Sequence, residues 1–348
     1  MKKVYYVGSM YDGCYYNRCL LPIIHNGWDG DKTSMRGTRN DSTRSFQGAL
    51  GSDIVVFHRP DDKAKVEAMK LLKEHGQKVV FDNDDTYKSV DAMKFQDKLD
   101  ERAGYLDEAI KVADLVTTST EFLADEYRKL NNNVVVLPNC IDPDDWDEPI
   151  KNTNGKVRIG IVGSTAINKD CHHIKGLLKE LSERDDVEVV LFALPPKTDD
   201  YKKMRDIYAP EIKFWDSLKV EWQSFVPQPD YMETLRQLKL DIMLIPREDS
   251  YFNRCKSNLK FLEASILEIP VIAQAFSDGK SPYQGVGDSL HMFLADQEDE
   301  WRHWVNFLID NPQEREIIGA EAKEYVLDNY NIHDKWINWS LTYDKMFI

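Results

Sequence analysis

No stretch of the chain approaches the length of unbroken apolar sequence that a membrane-spanning helix needs. Its first residues, Met1 to Gly8, run straight into a strand pattern and show no signal-type apolar core, so a cytoplasmic location is expected. Cysteine is sparse. The five residues at 14, 19, 140, 171 and 255 are odd in number and lack metal-type pairing, which argues for reduced thiols and against a disulfide framework. Positive charge is short as well: 45 Lys and Arg stand against 60 Asp and Glu, a formal net charge of −15. That balance excludes a surface basic overall, though not a local basic cleft. The dinucleotide fingerprint G-x-G-x-x-G is missing from the first strand–turn–helix. What remains is a composition usual for a folded protein, 42% hydrophobic and 30% charged, in 348 residues, which is comfortable for two domains.

Taken in order, the chain alternates strands and helices. Lys3 to Val7 predicts a strand, Gly8-Ser9 and Gly13 a turn, and Tyr15 to His25 a helix; the turn is equally a plain tight turn or a functional loop. Residues 31 to 44 carry Lys32, Arg36, Arg39 and Arg44 with few apolar neighbours, as a solvated loop does or as contact with a phosphate-bearing acceptor requires. Asp53 to Phe57 predicts a strand ending at His58-Arg59-Pro60, where a parallel sheet presents polar groups to a ligand. The next strand, Lys78 to Phe81, ends in Asp82-Asn83-Asp84-Asp85. These carboxylates suit acceptor hydroxyls or a helix cap; metal ligation is the weaker reading, because no second acidic or His cluster is obvious nearby. Further strands are predicted at 114–118 and 134–137, between helices at 96–113 and 121–130.

Residues 140 to 155, acidic and broken by prolines, predict a linker, after which the pattern restarts. Val157 to Val162 predicts a strand ending at Gly163-Ser164, and Asn168-Lys169-Asp170 precedes a helix to Glu183. Strands follow at 187–193, 220–225 and 241–245, the last ending at Pro246-Arg247, with a helix at 231–238. Helices are expected at 297–308 and 313–327. Trp336, Trp339, Tyr343 and Phe347 then recur at spacings of three and four, the mark of a packing face. The expected division is 1–145, 146–330 and a C-terminal helix at 331–348 packing back on the first domain. A parallel α/β sheet in each domain follows from the strand–helix alternation.

The stretch Asn253 to Gln274 concentrates the chemistry. Ser257 is placed to cap a helix from Asn258, with Leu259, Leu262 and Ile266 on its apolar face, Pro270 as its stop and Val271-Ile272-Ala273 as a buried strand. Lys256, Lys260 and Glu263, four and three positions apart, put two cations and a carboxylate on one edge. Cations at a helix start suit a phosphate, and a carboxylate farther along suits sugar hydroxyls. The alternative is a surface helix whose Lys and Glu are merely solvated.

At this point the motifs resemble a known group. The ordered stretches A-D-L-V-T-T-S-T-E-F-L-A…V-L-P-N-C-I-D (Ala113 to Asp142) and D-I-M-L-I-P…S-P-Y (Asp241 to Tyr283) resemble the retaining, metal-independent glycosyltransferases of the GT-B fold, the group-1 or family-4-like enzymes. V-V-F-D-N-D-D-T is similar to an element of their bacterial and phage branch. The resemblance implies two Rossmann-like parallel-sheet domains facing a central cleft and a C-terminal helix crossing back to the N-domain. It implies transfer of a hexosyl or pentosyl group from a nucleotide-sugar donor, UDP- or GDP-linked, with retention, no metal and no other cofactor.

Residue by residue, Glu263 matches the carboxylate that holds the ribose. The partner Glu of that motif would fall at Cys255, a departure that removes the usual sugar anchor. Lys256, Ser257, Asn258 and Lys260 look like the substitute set. Lys169 matches a cation at the diphosphate, Gly163 and Ser164 the close-approach turn, and Phe225-Val226 the loop that reads the base, with Arg247 as a further cation. Glu268-Ile269 replaces the Gly that precedes the final Pro-Val-Ile, which implies a looser helix end. Lys169, Lys260, Asp82 and Asp85 are the catalytic candidates; His58, Arg59, Asp84, Arg36 and Arg39 would meet the acceptor. The acceptor is a glycan, a lipid-linked sugar, a protein or, in a phage-type enzyme, a hydroxymethylated DNA base. A non-catalytic nucleotide-sugar binder is the remaining alternative.

Overall fold

Short apolar runs bounded by Gly and polar residues set the architecture. The structure, a computed structural model, describes residues 2–8, 12–30, 49–86, 96–163, 167–192, 209–286 and 290–348. The chain forms two units. One comprises Met1–Asp142, Arg254–Ser257 and Tyr330–Ile348; the other comprises Pro143–Asn253 and Asn258–Asn329. Among the described residues, no helix is long and apolar enough to cross a membrane.

In the first unit the strands are β1 (Val4–Val7), β2 (Asp29–Gly30), β3 (Ile54–His58), β4 (Lys78–Asn83), β5 (Leu115–Thr118) and β6 (Val134–Val136). They form one six-stranded sheet in the order β2-β1-β3-β4-β5-β6, parallel throughout. Val, Ile and Phe in β1, β3 and β4 are buried almost completely, as strands covered on both faces must be. Strand order reverses between β1 and β3, which makes their C-terminal ends a ligand edge. Gly8 follows β1 because a Cβ there would lie 2.1 Å from the Tyr15 ring.

The first helical run starts at Gly13–Tyr15, where Asp12 Oδ1 accepts the Tyr15 N–H at 2.9 Å. It passes through a π-helical turn, Tyr16–Leu20, into Leu21–Asn26. That turn carries Arg18, which is fully buried. The aromatic tail belongs to this unit too. Trp339 and Tyr343 are buried, and the Tyr343 hydroxyl lies 2.9 Å from that of Tyr6. Trp28 stacks on Tyr343 at 5.3 Å. The stripe is buried only in part: Phe347 is exposed, with the Lys2 ammonium 3.8 Å from its ring centre.

The second unit holds β7 (Val157–Val162), β8 (Val187–Phe192), β9 (Val220–Gln223), β10 (Ile242–Ile245), β11 (Val271–Gln274) and β12 (Phe293–Ala295). Their order is β12-β11-β10-β7-β8-β9, again parallel. This is the doubly wound order of mononucleotide-binding sheets, with its switch point between β7 and β10. Ile159, Ile161, Leu177, Leu181, Trp215, Trp301 and Val305 share one buried core.

Two local expectations around the central helix are corrected. The helix is Leu259–Ile266, and its N-cap is Asn258, without a side-chain cap bond. Ser257 is not the cap: its Oγ accepts from Asn139 Nδ2 at 3.0 Å within the first unit. Lys256 therefore precedes the helix, and only Lys260 and Glu263 share its edge. The helix end is also closed rather than loose. The N–H groups of Leu267 and Ile269 both donate to the Ala264 carbonyl, at 3.1 and 3.0 Å. Glu268 takes the left-handed conformation, φ 55°, that the missing Gly would have supplied. Its carboxylate is held by Lys151 and Lys323, each at 3.0 Å.

Candidate functional site

At the switch point of the first unit, the ends of β3 and β4 bring polar groups together. Arg59, itself at φ 51°, donates to Asp84 Oδ1 at 3.0 Å, to Asn83 Oδ1 at 3.3 Å and to Cys14 Sγ at 2.9 Å. His58 Nε2 lies 3.8 Å from Asp84 Oδ1, beyond hydrogen-bond length. The His58 ring is buried, and neither of its nitrogens has a hydrogen-bond partner among the described residues. Burial works to raise the Asp84 pKa, but Arg59, then His58 and Arg18, outweigh it and hold the carboxyl well below the usual range. Burial pushes the Cys14 thiol up despite Arg59, so Cys14 is a neutral donor or acceptor here.

Asp82 stands apart from this cluster in its engagement. Its Oδ1 accepts from Arg18 Nε at 3.1 Å, and its Oδ2 from Arg18 Nη2 at 2.6 Å and from the Thr117 hydroxyl at 2.7 Å. Arg18 also donates to the Leu137 carbonyl and to Asn139 Oδ1. Asp82 thus holds a buried guanidinium, which in turn ties the β5–β6 side of the sheet to the first helical run. Asp85 faces Lys256, whose Nζ lies 2.6 Å from Oδ2. Asn83 Nδ2 and the Tyr127 hydroxyl both bond the Asp85 carbonyl, at 2.7 and 3.1 Å, and fix the turn. Cys255 is fully buried in this same unit.

In the second unit, the segments following β7 and β10 meet through Asp170. It accepts from Arg247 Nη1 at 2.9 Å, from the Glu248 N–H at 3.1 Å and from Asn253 Nδ2 at 2.6 Å. Burial opposes the Arg247 charge, while Tyr283 and Asp170 more than restore it, so the guanidinium keeps its proton. Arg247 Nε is buried and lacks a hydrogen-bond partner among the described residues. A second cluster joins the central helix to the Gln228–Gln237 helix, which carries Tyr231. Lys260 Nζ is 2.6 Å from Glu263 Oε2 and 2.6 Å from the Tyr231 hydroxyl, and that hydroxyl donates to the same Oε2 at 2.7 Å. Burial, then Glu263, raises the Tyr231 pKa, so the phenol stays protonated as that donor. Phe192 stacks on the Tyr231 ring at 5.4 Å.

Among the expected donor-side residues, Gly163 follows β7 directly, its N–H bonded to the Phe192 carbonyl at 3.1 Å. Lys169 lies on the short Ile167–Asp170 helix at the same strand end. Phe225 is 61% exposed and Val226 half-buried on the link from β9 to the Gln228–Gln237 helix. Asn258 is buried, and its Nδ2 has no hydrogen-bond partner among the described residues. Lys256 and Ser257 belong to the first unit, whereas Asn258, Lys260 and Glu263 belong to the second. Ser164, Arg36 and Arg39 lie outside the described residues. Sequence reasoning passed over Asp170, Asn253, Tyr231 and Arg18. Asp170 was visible beside Lys169; Tyr231 and Arg18 gave no signal, because their partners are remote in sequence.

Two parallel six-stranded sheets with flanking helices, one in each half of a single chain, define the GT-B fold of glycosyltransferases. No protein-family model matches the sequence, and no curated protein matches it either. Solved structures do. Sucrose-phosphate synthase from Thermosynechococcus elongatus is similar over 99% of both chains at TM-score 0.71 and 12% identity. Anabaena HepE in complex with UDP and glucose is similar over 99% of this chain and 100% of its own, at TM-score 0.68 and 12% identity. A glycosyltransferase from Rickettsia africae covers 99% of each chain at TM-score 0.65 and 11% identity. At such identities the likeness is one of fold.

Proposed function

We propose that this chain is a glycosyltransferase that moves a sugar from a UDP- or GDP-linked donor to an acceptor hydroxyl, with retention and without a metal at the reaction centre. One observation carries the reading: the second sheet has the nucleotide-binding strand order, with Arg247–Asp170 at its switch point and Lys260 and Glu263, on the helix that leads into β11, bonded to Tyr231 of the Gln228–Gln237 helix. Retention and the metal-free mechanism follow from the resemblance.

Breaking the sugar–phosphate bond leaves negative charge on a nucleoside diphosphate. In this reading Lys169, Lys260 and Arg247 receive it, with Gly163 and Ser164 allowing close backbone approach. Lys260 and Arg247 are already held by carboxylates, at 2.6 and 2.9 Å. The incoming phosphates share these cations rather than meeting free ones, and the carboxylates keep them oriented for the purpose. Both contacts to Glu263 fall on Oε2, so Oε1 is the atom we assign to the ribose hydroxyls. Asn258 Nδ2 is a further donor to the donor substrate, and exposed Phe225 with Val226 reads the base.

On the first unit, His58, Arg59, Asp84 and Asp85 hold the acceptor, and Lys256 sets the Asp85 carboxylate. Asp82 acts through Arg18 as a positioning residue. The acceptor class is a glycan, a lipid-linked sugar or a protein. The test is thermal shift over UDP- and GDP-sugars, followed by release of UDP or GDP from the donor that binds. At a hundredfold excess over Kd, a true ligand adds about 2.7 kcal/mol of apparent stability. Lys260→Ala should lower turnover roughly 10²–10³-fold, as loss of a charge-stabilising donor does. No stabilisation by any such sugar, and no release, would end this reading.

A second reading, a non-catalytic nucleotide-sugar binder, is favoured by Cys255, which puts a buried thiol where the resemblance expects a carboxylate. Stabilisation by a donor without any release, in the presence of a broad acceptor panel, would select it.

A further inference from the structure

Three side chains far apart in sequence converge in the first unit and take no part in the sites above. His25 lies in the last turn of the Leu21–Asn26 helix, Asp142 ends the first long segment of the unit, and His333 lies on the Ile332–Lys335 helix. His25 Nε2 is 2.7 Å from Asp142 Oδ2, and His333 Nε2 is 3.0 Å from Asp142 Oδ1. The two imidazoles meet edge to face at 5.0 Å between centres. One ligand atom from each residue falls within 4.8 Å of the other two. His25 and Asp142 are largely buried, and the His333 side chain is 42% exposed, which leaves an entry path.

We propose that His25, Asp142 and His333 form a site for a borderline transition-metal ion, with Zn²⁺ as the type, that clips the C-terminal tail to the first unit. The donor set argues for the ion class. Two imidazoles and one carboxylate suit Zn²⁺, Co²⁺ or Ni²⁺, whereas Mg²⁺ and Ca²⁺ take oxygen ligands. The geometry brings all three ligand atoms within 4.8 Å of one another. Tetrahedral ligands at about 2.0–2.1 Å from zinc stand roughly 3.3 Å from one another. His25 and His333 meet different oxygens of Asp142, at 2.7 and 3.0 Å, so an ion enters by displacing these two contacts as the carboxylate turns and the imidazoles close on it. Three protein ligands leave a fourth position for water.

The backbone behind the ligands is fixed before any ion enters. Ile141 and Asn331 form a parallel bridge, with the Ile141 N–H on the Tyr330 carbonyl at 2.8 Å and the Ile332 N–H on the Ile141 carbonyl at 2.9 Å. Asn331 Oδ1 caps the His333 N–H at 3.0 Å. Asp142 follows the bridged Ile141 by one residue and His333 follows the bridged Asn331 by two, so both sit just beyond a paired backbone, and the Leu21–Asn26 helix supplies the third ligand. Such a site closes chain loops that begin and end far apart, and its binding energy adds to folding.

The test uses the full-length protein without a histidine tag, stripped with a chelator and dialysed. Micromolar ZnCl₂ should bind at one equivalent per chain by titration calorimetry and elemental analysis and raise Tm, while MgCl₂ should not. Co²⁺ should give visible d–d absorption. His333→Ala, at an exposed position that keeps the fold, should lose the stoichiometric ion, the Tm gain and the Co²⁺ spectrum. His303→Ala, at another exposed histidine, should keep all three. Circular dichroism of His333→Ala matching the parent keeps that comparison valid. Absence of bound zinc in the parent, or equal binding by His333→Ala, would overturn the proposal. The outcome is independent of whether the chain transfers sugar.

Discussion

Arg18 and Asp82 show what a single buried charge commits a protein to. Both side chains are inaccessible to solvent, so neither recovers hydration if its partner is lost. Asp82→Ala should therefore cost about 3–5 kcal/mol in urea unfolding of the first unit, far more than a surface carboxylate would. An apolar pair of similar volume in place of both residues should restore most of it, which separates the pair's structural part from catalysis. Asp84 makes a pH prediction. Its carboxyl titrates below the ordinary range in the fold, so the unfolded chain binds its proton first as pH falls. The stabilisation is complete above the unfolded Asp value near pH 3.9 and is lost as pH drops from there through the folded value. Asp84→Asn should flatten this acid limb of the stability profile, read as urea midpoint between pH 5 and pH 2.5; an unchanged slope would contradict it. Sequence could flag all of Asp82, Asp84 and Asp85 at one strand end. It could not say which was already occupied, because Arg18 lies 64 positions away.

At the scale of elements, the strands were legible because continuous Val and Ile runs ending in Gly or polar residues fit a sheet covered on both faces. Helix starts were less so. Ser257 has the right chemistry for a cap, but its hydroxyl is taken by Asn139, and the helix begins two residues later. A tertiary hydrogen bond outweighed a local preference. The same helix's exit was misread for a similar reason: Glu268 tolerates a left-handed backbone because two lysines hold its side chain and Gly319 packs against its carbonyl. Gly319→Ala would put a Cβ 2.3 Å from that carbonyl oxygen, a backbone atom that cannot yield cheaply. It should destabilise the second unit by about 1–3 kcal/mol. Gly104→Ala, inside the Gln96–Val112 helix with nothing near the added methyl, should instead stabilise by up to about 1 kcal/mol. Denaturant midpoints of the two variants should move in opposite directions.

For the whole molecule, alternating strands and helices either side of an acidic, proline-broken stretch made two sheets readable from sequence. They did not reveal that Arg254–Ser257 joins the first unit, nor that His25, Asp142 and His333 meet there. Both depend on chain returns that no local pattern encodes. The tail is different. Its aromatic spacing announced a packing face, and the face is carried by buried Trp339 and by Tyr343, which meets Tyr6 and Trp28. That asymmetry gives a prediction about where stability resides. Trp339 is among the largest fully buried side chains, so Trp339→Ala should cost about 3–5 kcal/mol. The loss should be confined to the unit that contains it. Amides of β1 and of the Leu21–Asn26 helix should exchange with solvent faster in the variant, while those of β7, β8 and β10 keep their protection. If protection fell equally in both sheets, the tail would be a support of the entire chain rather than the closing element of its first unit.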